Sequence, residues 1–145
     1  MNPFQLTYVD RLTEWRDLRN SIKTQTLEEQ CIAIDRWWQQ APLINHHFHW
    51  HDTQQWTDPW EMLSENTYCL LTRAVGMCYT LLMSDITDVE LVHVQDQQAE
   101  EHYLVLVGVS KYILSYWPNT VLSNSLSNFK IISSKSLESI KNKIK

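Results

Sequence analysis

The first part of the chain carries apolar residues at a helical spacing. Between residues 6 and 22, apolar side chains recur every three or four positions and the charged side chains fall mostly between them. This period is typical of an amphipathic helix. A second helix is predicted after Thr26, because Glu29 completes a capping box three residues later and Pro42 ends the pattern.

Two further helices are predicted between residues 58 and 84. Asp58 and Pro59 suit the N-cap and the first position of a short helix. Asn66 suits the N-cap of a longer helix that reaches about Ser84 and is apolar on most sides. We therefore expect this longer helix to be the buried centre of the molecule.

After residue 88 the pattern becomes that of strands. The β-rich runs are "DVELVHV", "HYLVLVGV", "YILSYW" and "FKIIS", with a tight turn at "GVSK" and a short final helix that Ser136 caps. Helices followed by strands predict an α+β fold, in which N-terminal helices and a buried central helix pack on a small antiparallel sheet.

Composition and charge narrow the function classes. We expect one domain over residues 1–145, made of a Trp-rich helical layer (1–57), a helix and sheet core (58–122) and a basic C-terminal strand and helix (123–145). The net charge of −5 disfavours a nucleic-acid partner. No apolar run reaches membrane-spanning length, so no membrane partner is expected. Three cysteines do not indicate a disulfide framework.

Cys69 is the candidate nucleophile. As the third residue of the predicted central helix, it lies where unpaired N–H groups and the helix dipole favour a thiolate. His102 opens a strand 33 residues downstream and is the candidate general base. Cys31 and Cys78 fall within apolar helical segments, where we expect them to pack.

The segments "YCLLTRAVGMCYTLL", "EHYLVLV" and "YILSYWPN" resemble the transglutaminase-like branch of the papain-like cysteine-enzyme fold. In that branch a Cys starts a central helix, a His begins a following strand, and an Asp lies on the neighbouring strand. The resemblance implies acyl transfer, or peptidase or amidase activity, through Cys69 and His102. Ser115 stands at the position of the Asp, and Asn119 is the alternative residue to orient the imidazole.

Departures from that pattern favour a non-catalytic form of the fold. Leu70 and Leu71 replace an acidic pair after the cysteine, and Ser115 carries no charge. The segments "AIDRWWQQAP" and "WTDPWEML" resemble small proteins of contractile-tailed bacteriophages in their overall composition. This second resemblance implies synthesis in the host bacterial cytoplasm, with incorporation into the virion as an alternative, and protein partners in phage assembly.

Five tryptophans lie within 24 residues of one another: Trp37, Trp38, Trp50, Trp56 and Trp60. Their rings either pack a loop onto the central helix or form a surface that binds a partner. Our main hypothesis combines that surface with a structural or assembly role. A thiol-dependent acyl-transfer enzyme or peptidase is the alternative.

The segment "NHHFHWH" is the candidate metal site. If it is extended, His47, His49 and His51 share one side of the chain and offer imidazole ligands for zinc. A polar loop that faces solvent explains the same pattern. We therefore expect no cofactor, with zinc at these three residues as the alternative.

Overall fold

Helices cover one face of an antiparallel sheet in this computed structural model, which describes residues 2–44, 48–118, 120–123 and 126–144. The helices are α1 (Tyr8–Ser21), α2 (Leu27–Trp38), α3 (Pro59–Glu65), α4 (Leu70–Met83) and α5 (Glu138–Lys141). The strands are β1 (Val89–Gln95), β2 (Glu101–Val107), β3 (Tyr112–Trp117), β4 (Thr120–Ser123) and β5 (Lys130–Lys135). The predicted α+β class is confirmed.

The predicted starts of α2 and α3 are confirmed by their caps. The backbone N–H of Glu29 donates to Thr26 Oγ1 at 3.2 Å, and the Glu29 carboxylate accepts the Thr26 N–H at 2.9 Å. Asp58 accepts the N–H of Glu61 at 2.8 Å. Each contact pairs a backbone group that the first turn of a helix leaves without an intrahelical partner.

The predicted start of α4 is wrong by three residues. Asn66 has a left-handed φ of 55° and ends α3 as its C-cap, which Asn tolerates better than most residues. Tyr68 then pairs with Leu43 in a parallel β-bridge, and this extended pairing delays the next helix. Cys69 is consequently the N-cap of α4 and not its third residue.

The prediction that α4 is the buried centre is confirmed, because every residue from 71 to 82 is buried. Its Thr80 Oγ1 accepts two indole N–H groups at 2.9 Å, one from Trp15 of α1 and one from Trp38 of α2. At Gly76, a Cβ would come within 2.6 Å of the Trp38 ring. The tryptophans of two helices are thus fitted closely to one side of α4.

The prediction that the tryptophans form a partner-binding surface is wrong. Four of the tryptophans are at most 8% exposed: Trp37, Trp38, Trp50 and Trp56. The fifth, Trp60, is half-buried. Burial removes the large apolar area of these rings from water and so stabilises the fold. The alternative that the rings pack in the core is therefore confirmed.

The sheet has the strand order β4-β3-β2-β1-β5, with all neighbours antiparallel. The predicted segment "FKIIS" contributes β5, which pairs with β1 at one edge. At the other edge lies β4, which the sequence analysis missed because four residues are too short for a clear alternation. The final helix is present, but its N-cap is Leu137 and not Ser136.

Side chains of β2 alternate between two separate apolar clusters. Val105 and Val107 belong to the large cluster around α4, while Leu104 and Leu106 belong to a second cluster on the other face. We call these the helix face and the far face. The far-face cluster comprises Val92, Val94, Leu104, Leu106 and Ile113, against which Tyr116, Leu122, Leu126 and Phe129 pack.

The predicted strand across "HHFHWH" is not formed in its described part, residues 48–51, which is an irregular turn. His49 and His51 are exposed there, and Phe48 and Trp50 are buried. His47 lies outside the described residues. No helix among the described residues has the length and apolarity that a membrane crossing requires.

Candidate functional site

Cys69 lies at the edge of an apolar groove where α4 begins. Its side chain is 8% exposed. The groove has a volume of about 290 Å³ and is lined by Leu43, Ile44, Tyr68, Cys69, Leu70, Leu71 and Tyr103. Three of these side chains, Leu43, Ile44 and Leu70, are exposed by 53%, 59% and 39%. An open groove with apolar walls is suited to apolar groups of a ligand.

A hydroxyl and a cation lie close to the thiol. Cys69 Sγ is 3.1 Å from Thr72 Oγ1. Arg73 follows on the same turn and is buried, and its backbone N–H donates to the Cys69 carbonyl at 3.1 Å. Burial lowers the pKa of Arg73, while the nearby Asp35 and Cys69 oppose that shift. Cys69 therefore lies at a helix start with a hydroxyl and a buried cation nearby.

The other two cysteines are packed, as predicted. Both Cys31 and Cys78 are fully buried. Burial raises the pKa of Cys31 to about 12, with Asp35 and Glu28 adding to the shift, and it also raises the pKa of Cys78. Both thiols therefore stay protonated and unreactive at neutral pH.

The structure does not form the predicted pair of Cys69 and His102. The His102 side chain lies on the far face, where its ring centroid is 4.8 Å from that of Tyr116 and 6.4 Å from that of Phe129. His102 Nε2 lies 2.9 Å from an Asp96 carboxylate oxygen, and the residue is 6% exposed. The physical reason is the alternation of β2, which directs adjacent residues to opposite faces.

On β2, Tyr103 takes the position beside Cys69 that was predicted for His102. Tyr103 lines the groove, and burial raises the pKa of its phenol, so it is neutral at physiological pH. Its ring stacks on His93 of β1, with centroids 4.7 Å apart and planes 20° apart. His93 Nε2 lies 2.6 Å from the Glu101 carboxylate. The helix face thus carries an imidazole, but Tyr103 and not His93 lines the groove.

Ser115 contributes its backbone rather than its hydroxyl. The residue is buried with a left-handed φ of 70°, and its N–H donates to Asp35 Oδ1 at 2.8 Å. No hydrogen bond between described residues joins Ser115 to His102. Asn119, the alternative orienting residue, lies outside the described residues.

Sequence reasoning missed Asp35, which is 1% exposed on α2. Burial raises the pKa of its carboxyl group, and the Ser115 N–H is the largest opposing influence. A signal was present, because Asp35 directly follows Ile34 within an apolar helical stripe. A charged residue at such a position indicates a buried polar contact.

The predicted zinc ligands do not converge in the described part of the chain, where His49 and His51 belong to no group of three metal-binding side chains. Another group does converge: Asp96, Glu100 and His102 offer ligand atoms within 4.8 Å of one another. This group does not fit the expectation of no cofactor. The sequence contained a signal for this group, because "DQQAEEH" places two carboxylates and an imidazole within seven residues. The prediction that His102 is catalytic left this signal unused.

Similarity to known proteins lies in the fold. No family model and no curated protein matches the chain. Legionella pneumophila LapG superimposes with a TM-score of 0.70 and 18% identity, over 90% of this chain and 75% of LapG. Calcium-bound Legionella pneumophila LapG superimposes with a TM-score of 0.74 and 16% identity, over 92% of this chain and 78% of LapG. The chain has a transglutaminase-like fold. At this identity the likeness concerns the fold alone.

Proposed function

We propose that this chain binds an extended polypeptide segment in the groove beside Cys69. The observation that carries the proposal is the groove itself, which is open and apolar and has Leu43, Ile44 and Leu70 exposed along it. An extended segment suits this shape because alternate side chains can enter an apolar groove while the main chain follows its wall.

The fold supports a polypeptide as the occupant. LapG is a cysteine protease with a transglutaminase-like fold. In this chain the groove lies at the start of α4, beside the only thiol of the described residues that is not fully buried. A polypeptide is therefore the ligand class that both the fold and the apolar walls favour.

Peptide retention measured with matched variants tests this proposal. A library of immobilised decapeptides should yield binders rich in large apolar residues. Leu70→Glu places a charge in the groove and should abolish retention, because a buried carboxylate would be desolvated by the bound peptide. Val109→Glu, on an 85% exposed turn residue, is the control and should retain the same peptides. Equal retention by both variants, or none by the wild type, would overturn the proposal.

Thiol-dependent cleavage of the bound peptide is the second candidate function. It is favoured by the position of Cys69 at the helix start, with Arg73 one turn away. The thiolate would add to a peptide carbonyl carbon, and the C–N bond would break as the amine takes a proton from solvent water. A second water molecule would hydrolyse the thioester, which releases the carboxylic acid and restores the thiol. Backbone N–H groups at the start of α4 would stabilise the oxyanion.

Cleavage in this form does not use His102, which lies on the far face. Internally quenched versions of the retained peptides should be hydrolysed by the wild type and by His102→Gln, but not by Cys69→Ser. Retention without hydrolysis by the wild type would leave binding as the function and would reject cleavage. Hydrolysis that persists in Cys69→Ser would reject the thiol as nucleophile.

Calcium binding in the groove is not part of the proposal, although one of the similar LapG structures is calcium-bound. The described residues that line the groove include no carboxylate, and Leu70 and Leu71 directly follow the cysteine. Calcium requires six to eight oxygen ligands, mostly from carboxylates and carbonyls. We therefore expect peptide retention to be unchanged by a calcium chelator.

The role in bacteriophage assembly stays a prediction, as do its protein partners and the location in host cytoplasm or virion. None of the comparisons supports it. Its structural premise was an exposed tryptophan surface, and those rings are core residues. The groove beside Cys69 is the surface on which a protein partner should now be sought.

A further inference from the structure

The hairpin between β1 and β2 carries a group of side chains on the far face that the groove does not use. Asp96 follows β1, and Glu100 and His102 frame the start of β2. Their ligand atoms lie within 4.8 Å of one another. We propose that these three side chains bind a divalent transition-metal ion of the zinc type. No step in the proposed peptide binding depends on this site.

Two of the three ligands are held in place by the protein. Asp96 Oδ1 accepts the backbone N–H groups of Gln98 and Glu100 at 2.9 and 3.0 Å, which leaves Oδ2 directed at His102. The side chains of Asp96 and His102 are only 8% and 7% exposed. Because both are fixed and shielded, they lose little conformational entropy when an ion binds.

The spacing of these two ligands suits a tetrahedral ion. With metal–ligand bonds of about 2.0–2.1 Å, two ligands at the tetrahedral angle are separated by about 3.3 Å. Asp96 Oδ2 and His102 Nε2 are 2.9 Å apart, so a movement of a few tenths of an ångström admits the ion. Glu100 is exposed, and its side chain can rotate to supply the third ligand.

A cavity beside Asp96 leaves room for a fourth ligand. It has a volume of about 290 Å³, and Asp96, Tyr116 and Phe129 are among its lining residues. Both aromatic rings also contact His102. Three protein ligands with a water molecule in the remaining position are typical of open zinc sites.

The donor set favours zinc over calcium. An imidazole nitrogen is a good ligand for zinc, copper, nickel and iron, whereas calcium takes oxygen ligands and needs more of them than three side chains supply. The metal should therefore differ from the calcium in one of the similar LapG structures.

Calorimetric titration of tag-free protein with Zn²⁺ tests the site. We expect one ion per chain, and an affinity lowered at least about tenfold in Asp96→Asn, His102→Gln and Glu100→Gln. His93→Gln is the matched control, because His93 and Glu101 form a similar pair on the same hairpin but on the other face. A double variant of His49 and His51 tests the histidine-rich loop.

Three results of the titration would overturn the proposal: no zinc binding by the wild type, zinc binding lost only in the loop variant, or displacement of zinc by millimolar calcium. Since Glu100 is exposed, Glu100→Gln should leave the fold intact even if variants of the two shielded ligands misfold. Nitrogen-15 spectra of the wild-type imidazoles give an independent readout. Zinc should shift His102 Nε2, and an unchanged His102 resonance at saturating zinc would reject the site.

Discussion

The two faces of the sheet differ in how they hold their polar groups. On the helix face, the Thr80 hydroxyl is tied into the core by the two indole N–H groups that donate to it. On the far face, the shielded pair of Asp96 and His102 lies beside a cavity of about 290 Å³. The first arrangement fixes packing, and the second leaves a polar group accessible to a small ligand.

Two consecutive residues of β2 point to opposite faces of the sheet. His102 faces the carboxylate of Asp96, and Tyr103 faces the groove of Cys69. A shift of one residue along the strand would exchange the two side chains. The chemistry beside Cys69 therefore depends on which side chains of β2 point toward α4.

The largest effect is expected on the helix face, at Thr80. Thr80→Val removes the acceptor of two buried indole N–H groups, and each orphaned donor costs about 1–3 kcal/mol. The free energy of unfolding should fall by about 3–4 kcal/mol in denaturant titrations. Thr80→Ser keeps the hydroxyl and should lose much less. Equal stability of the two variants would show that the shared acceptor contributes little.

A smaller loss is expected at Gly76, on the same helix. A Cβ there meets the Trp38 ring at 2.6 Å, so Gly76→Ala should lower the free energy of unfolding by about 1–2 kcal/mol, despite the better helix propensity of Ala. In a Trp38→Phe background the same change should cost less. A cost that is identical in both backgrounds would locate the strain elsewhere.

On the far face, the effect of Asp96→Asn should depend on pH. The hydrogen bond to His102 is the main cause that lowers the pKa of Asp96 from its ordinary 3.8, and the N–H groups of Glu100 and Gln98 add to it. A lowered pKa gives stability that is present above pH 3.8 and lost as the pH falls further. In EDTA, the Tm of the variant should lie below that of the wild type at pH 7, and the gap should narrow progressively as the pH falls below 3.8. A constant gap would contradict this coupling.

Local chemistry explains which parts of the fold could be predicted. Thr26 and Asp58 act within three residues of themselves, so the sequence determined the starts of α2 and α3. Asn66 is ambiguous, because the same side chain suits an N-cap and a left-handed C-cap. The contact of Ser115 with Asp35 spans 80 residues, and no local pattern encodes it.

The candidate site was only partly predictable for a related reason. In "HYLVLV", apolar residues occupy both alternations after Tyr103, so the pattern does not reveal which residues face α4. Cys69 was identified by its position near a helix start, which needs only local signals. The pairing of Cys69 with His102 required the phase of β2, which depends on how both faces pack.

The central claim is that the reactivity of Cys69 is independent of His102. Alkylation of Cys69 by iodoacetamide, measured as a function of pH, tests this claim most directly. Peptide mass spectrometry separates it from Cys78, whose full burial makes it a reporter of intact folding. His102→Gln should leave the rate and the midpoint of the Cys69 profile unchanged, while Tyr103→Ala should raise the rate by opening the groove. A slower rate or a higher midpoint in folded His102→Gln would contradict the account.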